Sequence, residues 1–222
     1  MASWLQSGDT SMHGLPQPPT IEPADACTRW LLRGEDELYL LPQFLHAAQA
    51  SELFATLRAE LAWRSERIVT YGRAVPVPRR VCWYGDPGAV YRYSGVAHQP
   101  LPWTPTLTAL RQRIEATCAR TFNSVLGNLY RDGQDSMGWH ADNEPELGPA
   151  PVIASLSLGA ERLFKLRHTR RGATLDITLP DGSLLVMGGE LQRHWRHSLP
   201  KTRRALGGRI NLTFRYVTPS SL

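Results

Sequence analysis

The sequence predicts a mainly β fold of the α+β kind, a double-sheet barrel with helices packed on one side. Segments with helical period come early in the chain, over 47–61 and again from 104. After Phe122 that period stops, and short β-prone runs separated by Gly, Pro and Asp fill the remainder. The last run, Arg209–Arg215, alternates strictly between apolar and polar residues. Helices first and many short strands later are the order a layered barrel of this kind requires.

Residues 1–35 are rich in Pro, Ser, Gly and Thr and show no period, so a flexible tail is expected before a single domain over 36–222. Residues 37–41 read as a strand closed by Pro42. Leu53, Phe54, Leu57 and Leu61 share one face of a helix over 47–61. Over 63–84 the pattern is strands and turns: 68–71 is β-prone, Gly72 breaks it, and Pro76 and Pro78 keep the next segment extended or at an edge. A strand over 81–84 ends at Gly85-Asp-Pro-Gly88. The next, over 90–93, carries Tyr91 and Tyr93 on one face, as core or as a stacking platform. Thr104 is a good N-cap with Pro105 at the first helical position, and Leu107, Leu110, Ile114 and Cys118 mark that helix's buried face. Strands are then expected over 124–130, 152–158, 162–167, 174–179, 183–187 and 209–217.

A chain of 222 residues with seven Trp can bury a sizeable core as one domain. No apolar run reaches bilayer length, and no basic segment followed by an apolar one opens the chain. Three scattered cysteines argue against a disulfide framework and for a reducing compartment, cytoplasmic or nuclear. The net charge of +5 is modest, but its distribution is uneven. From Leu191 onward there is no Asp or Glu, while Arg193, Arg196, Lys201, Arg203, Arg204, Arg209 and Arg215 all fall there. A second basic run holds Arg162, Lys165, Arg167, His168, Arg170 and Arg171. Acid gathers at Asp132, Asp135, Asp142, Glu144 and Glu146. A basic rim around an acidic centre suits a polyanion such as nucleic acid.

The chemistry centres on His140-Ala-Asp142. Residues two apart on an extended strand point to the same side, so both side chains can reach one metal ion. A second histidine completes the two-histidine, one-carboxylate face that leaves open positions on non-haem Fe(II), and His197 is the best candidate. In the last strand Ile210, Leu212 and Phe214 face one way, and Arg209, Asn211, Thr213 and Arg215 the other. Asn128 and Tyr130 have the same placement upstream of His140. If both polar faces turn inward they line a cavity beside the metal. Buried guanidinium groups need anions, and a small dicarboxylate would supply one carboxylate per arginine.

Taken together, Asn128-x-Tyr130, His140-x-Asp142, His197 and Arg209-x-Asn-x-Thr-x-Arg215 resemble the AlkB family of Fe(II)- and 2-oxoglutarate-dependent dioxygenases, and most of all its DNA-repair branch. The resemblance covers roughly residues 63–217. It implies a double-stranded β-helix, or jelly-roll, core with an N-terminal nucleotide-recognition lid over 63–100. It implies His140, Asp142 and His197 as iron ligands and catalytic centre. Asn128, Tyr130, Arg209, Asn211, Thr213 and Arg215 would hold 2-oxoglutarate, with Arg209 and Arg215 on its carboxylates. The substrate pocket maps onto Tyr91, Tyr93 and Ser94 and onto Asn143 and Glu144. Tyr93 would stack on the damaged base against His140. Glu144 or Asn143 would bond an exocyclic amino group. Tyr71, beside Gly72, would be a duplex-probing finger, and Arg79 would lie near the lesion or backbone. Arg162, Arg203 and Arg204 are candidate phosphate contacts.

The activity implied is oxidative dealkylation of N-alkylated bases in single- or double-stranded DNA by a monomer, with Fe(II), 2-oxoglutarate and O₂ and no membrane partner. Alternatives are the same chemistry on RNA or on a protein side chain, and a noncatalytic nucleic-acid binder.

Overall fold

The computed structural model describes residues 28–70, 73–93 and 96–218. In chain order the elements are β1 (Arg29–Leu32), β2 (Asp36–Leu41), α1 (Ala47–Glu60), β3 (Arg64–Thr70), β4 (Arg73–Gly85), β5 (Tyr91–Tyr93), β6 (Val96–His98), α2 (Pro105–Cys118), β7 (Ser124–Tyr130) and β8 (Met137–His140). A single 3₁₀ turn (Pro145–Leu147) precedes β9 (Ile153–Gly159), β10 (Arg162–His168), β11 (Thr174–Leu179), β12 (Ser183–Gly189), α3 (Leu191–His194), β13 (Trp195–Leu199) and β14 (Arg209–Arg215).

Eight strands form the major sheet in the order β1-β2-β12-β9-β14-β7-β4-β3, and four form the minor sheet in the order β11-β10-β13-β8. The ladders are antiparallel, and β5 and β6 make a separate two-stranded ribbon. Apolar residues of both sheets meet in one core cluster that includes Leu38, Ile153, Leu166, Leu179, Met187 and Trp195. This is the jelly-roll arrangement, with α1 and α2 outside it.

The helices cover the outer face of the major sheet. Ala50, Leu53 and Leu57 of α1 and Leu107, Leu110 and Ile114 of α2 are buried with Ile210, Leu212 and Phe214 of β14. Thr104 caps α2 by accepting the Leu107 N–H at 3.2 Å, and Pro105 comes directly after it. All seven residues of β14 are therefore buried, and its polar set has only the space between the sheets to face. Gly127 of β7 is needed where Cys82 and Trp63 press on that strand. A Cβ there would lie 2.5 Å from the Cys82 sulfur and 3.1 Å from the indole.

Two features differ from expectation. Residues 29–32, placed in the tail by composition, form β1 and pair with β2, with the Trp30 ring 4.8 Å from Tyr39. Trp30, Leu31 and Leu32 offer apolar surface to a sheet edge that would otherwise be bare. The second feature is β13, which no period in the sequence marks, and β8, which ends at His140 where the reading of His140-Ala-Asp142 had a strand continue to Asp142. Each is a strand because the other lies beside it, with His197 opposite His140. Among the described residues no helix is long and apolar enough to cross a membrane.

Candidate metal and anion site

His140 ends β8, and Asp142 lies just past it rather than on a continuing strand. The two side chains still converge, because β13 holds His197 against His140. The Nε2 atoms of the histidines are 3.1 Å apart, and Asp142 Oδ1 is 3.9 Å from His140 Nε2. One ligand atom from each of the three residues falls within 4.8 Å of the others, a spacing that could hold a metal ion. His140 Nδ1 is 2.8 Å from the Gly138 carbonyl, which can only accept. The proton is therefore on Nδ1, and Nε2 offers its lone pair to the shared point.

The electrostatics prepare the same point. Burial alone would raise the Asp142 carboxyl, but Arg215, His197 and His140 outweigh it and hold the group well below the usual carboxylate range. Burial, with His140 beside it, pushes the His197 imidazole down to about 3. His197 is thus neutral at neutral pH, as a ligand must be. Arg215 Nη2 donates to Asp142 Oδ2 at 2.8 Å, which turns Oδ1 toward the imidazoles. The backbone N–H of Asp142 donates to Gln192 Oε1 at 3.0 Å.

Behind the triad lies a narrow chamber between the sheets, lined by Asn128, Tyr130, Arg209, Asn211, Thr213 and Arg215 among others. Its free volume of about 40 Å³ is room for little beyond water, so side chains must shift to admit a larger ligand. Arg209 is buried beside the Tyr130 ring, 5.3 Å away, and Nη2 donates to Ser157 Oγ at 2.9 Å. Its Nε has no hydrogen-bond partner. Burial lowers Arg209 to about 10, which still leaves it a cation at neutral pH. An orphaned donor on a buried cation is the observation that fits a carboxylate end of 2-oxoglutarate. Of the two arginines expected to clamp a dicarboxylate, Arg209 carries this orphaned donor, and Arg215 commits Nη2 to Asp142. Asn211 donates to Ser155 Oγ at 2.8 Å and accepts from Thr213 at 3.1 Å.

In front of the triad is an outer cavity of about 260 Å³, lined by Val77, Pro78, Arg79, Trp139, Glu144 and the triad residues His140 and Asp142 among others. Arg79 is buried and reaches across to Asn128, Nε to Oδ1 at 2.7 Å. Asn143 parts from Glu144: it is exposed and lines a neighbouring groove with Thr169, Gln192, Arg193 and Arg196. Tyr91 and Tyr93 lie on β5, opposite His98 and Val96. Their side chains, with Tyr71, Gly72 and Ser94, lie outside the described residues.

Arg162 is corrected by the structure. It is buried, and its guanidinium donates to the carbonyls of Asp132, Asp135 and Pro200 at 3.1, 2.9 and 2.7 Å. It ties two loops together and has no donor turned to solvent for a phosphate, whereas Arg203 and Arg204 are exposed. Replacing Arg162 with Met leaves three carbonyls to find other partners. The expected loss is about 3 kcal/mol in urea unfolding, with the salt dependence of DNA binding unchanged.

Sequence reasoning missed Ser155, Ser157 and Gln192. The serines alternate with Ala154, Leu156 and Leu158 in an otherwise apolar strand, and that alternation was the available signal. Gln192 carried none, because its contact with Asp142 spans fifty positions.

Comparison with known proteins agrees with this geometry. The family model described as the 2OG-Fe(II) oxygenase superfamily matches residues 37–215. The chain is similar to the DNA oxidative demethylase ALKBH2 of Bos taurus, at 40% identity over 185 residues, covering 78% of this chain and 66% of the relative. It is similar also to the alpha-ketoglutarate-dependent dioxygenase alkB homolog 3 of Mus musculus, at 39% over 196 residues, covering 84% and 68%. The chain thus spans about two thirds of the length of these relatives. The solved structure of OsALKBH1 shares the fold, with a TM-score of 0.59 at 18% identity, covering 86% of this chain and 100% of that one.

Proposed function

Because the chain belongs to the 2OG-Fe(II) oxygenase superfamily, on the AlkB branch of ALKBH2 and ALKBH3, we propose that it removes alkyl groups oxidatively from N-alkylated bases in DNA. The observation that carries this reading is the placement of one triad between two compartments. The inner, with the orphaned donor of buried Arg209 in its wall, suits a dicarboxylate once its side chains shift; the outer, of about 260 Å³, has room for a single flat ring system.

In this reading His140, Asp142 and His197 hold the iron, and Arg209 holds the far carboxylate of 2-oxoglutarate. The bound iron and 2-oxoglutarate supply the O₂-dependent oxidation of the alkyl carbon, with succinate, CO₂ and an aldehyde as products. The chain's own contribution is orientation. The Gly138 carbonyl sets the His140 tautomer, and Arg215 and Gln192 fix Asp142 from its side chain and backbone. Arg79 fixes Asn128 at the boundary of the two compartments. Val77, Pro78 and Trp139 give the outer cavity apolar walls. A base inside a duplex cannot reach that cavity, so the nucleotide must be flipped out, which costs least where alkylation has weakened pairing. The protein acts where DNA is, in nucleus or nucleoid.

The test is product analysis with oligonucleotides carrying 1-methyladenine or 3-methylcytosine, single- and double-stranded, with Fe(II), 2-oxoglutarate and air. Unmodified base should appear in step with succinate. Succinate without repaired base would move the substrate away from DNA.

A further inference from the structure

The wall of the inner chamber at Arg209 has a second buried cation behind it. Tyr130 ends β7 and is paired across the ladder with Arg209, the first residue of β14. Arg209 is paired in turn with Gly159, the last residue of β9, and the next strand, β10, begins at Arg162. The topology thus brings Arg162 and Arg209 to the same end of the sandwich. Both guanidinium groups address one ring: the Arg209 carbon lies 5.3 Å and the Arg162 carbon 5.8 Å from the Tyr130 centroid. All three residues are at most 3% exposed. Tyr130 and Arg209 line the chamber, and Arg162 does not.

Neither cation is matched by a carboxylate in contact with it. Among the described residues no acid forms a salt bridge with Arg162 or Arg209. The acids that pull on Arg162, Asp135 and Asp132, are engaged elsewhere. Asp135 accepts from Arg131 Nε and Nη2, both at 2.8 Å, and Asp132 Oδ1 accepts the Gln134 N–H at 2.8 Å. Arg162 has only their backbone carbonyls and that of Pro200. Three carbonyls hold the guanidinium in place without cancelling its charge, which a carboxylate partner would do. Burial lowers both groups, and at Arg209, held at about 10, the charge of Arg162 pushes in the same direction. Two cations that repel one another beside one buried ring favour an anion at that end of the chamber. Away from water such an attraction acts beyond direct contact.

We propose that Arg162 is a specificity-determining residue for the co-substrate: standing behind Tyr130, it acts on the far carboxylate that Arg209 holds and makes the chamber select a 2-oxo acid with two negative charges over one with a single charge. Arg162 touches no ligand. It positions Tyr130 and adds to the positive field at Arg209. The inference rests on the reading of the inner chamber as the 2-oxoglutarate site.

The experiment compares the intact chain with Arg162→Met, Arg162→Lys and Arg209→Leu, each loaded with Mn(II). Affinity is measured by calorimetric titration below the melting range of every variant. The ligands are 2-oxoglutarate and 2-oxopentanoate, which keeps the carbon chain and has a methyl group in place of the far carboxylate. Arg162→Met should bind 2-oxoglutarate about tenfold more weakly and 2-oxopentanoate as the parent does. Arg162→Lys, which keeps the charge, should return most of the 2-oxoglutarate affinity. Equal losses for both ligands in Arg162→Met would reduce Arg162 to a tie between loops. Parental affinity for both would leave it no part in binding. Either result overturns the inference while Arg209→Leu still weakens 2-oxoglutarate. If Arg209→Leu binds 2-oxoglutarate as the parent does, the reading of the chamber itself falls.

Discussion

Asp142→Ala will remove activity completely and unfold more readily than the parent. The carboxylate is the only acid among the triad's ligand atoms, and it forms an ion pair with Arg215 in which both side chains are at most 5% exposed. Breaking a buried pair from one side costs about 3–5 kcal/mol, because it strands the other charge. The two effects separate in a second variant. Asp142→Leu with Arg215→Met replaces the pair by apolar groups and should recover most of the lost stability in urea melts, since such replacements are often neutral. It should recover no succinate formation and no Mn(II)-dependent rise in Tm. Recovery of turnover in that variant would show that Asp142 serves the fold and not the metal.

Arg209→Leu should weaken 2-oxoglutarate by 10- to 100-fold in KM, which corresponds to the loss of a charge-assisted hydrogen-bond pair of about 1.5–3 kcal/mol. The reason is the orphaned Nε of a fully enclosed guanidinium. Such a cation is destabilising until an anion joins it, so the ligand-free variant should melt no lower than the parent. The discriminating measurement is the rise in Tm on adding 2-oxoglutarate, which reports binding to the folded state alone. The parent should show it, and Arg209→Leu should reach the same rise only at about 10- to 100-fold higher 2-oxoglutarate. Arg209→Lys should restore it only in part, because an ammonium group cannot meet a carboxylate with two parallel donors. An undiminished rise in Arg209→Leu would place the dicarboxylate elsewhere.

The local pattern was legible wherever a residue's neighbours in sequence are also its neighbours in space. Thr104-Pro105 starts α2 because capping is settled within four residues. The alternation of Arg209–Arg215 marks a strand because side chains on a strand must alternate. That alternation could not settle which face of β14 meets water. The helices α1 and α2 cover the apolar face, so the polar face turns into the sandwich and becomes a binding surface. The same limit explains Arg162. A basic run reads as a solvated rim until the loops at Asp132, Asp135 and Pro200 close over one of its members.

By itself the sequence determined most of the element types and, through the resemblance of its motifs, the family and the three residues that converge. Those depend on residue chemistry and on periods of two and 3.6, which need no knowledge of the rest of the chain. Tertiary structure alone decided that β13 is a strand at all, that Arg215 holds Asp142, that Arg209 keeps an open donor, and that Asn143 parts from Glu144. Each of these is set by contacts between segments tens of residues apart. Their energy depends on burial and on a partner's position, and neither quantity exists until the sheets have closed on one another.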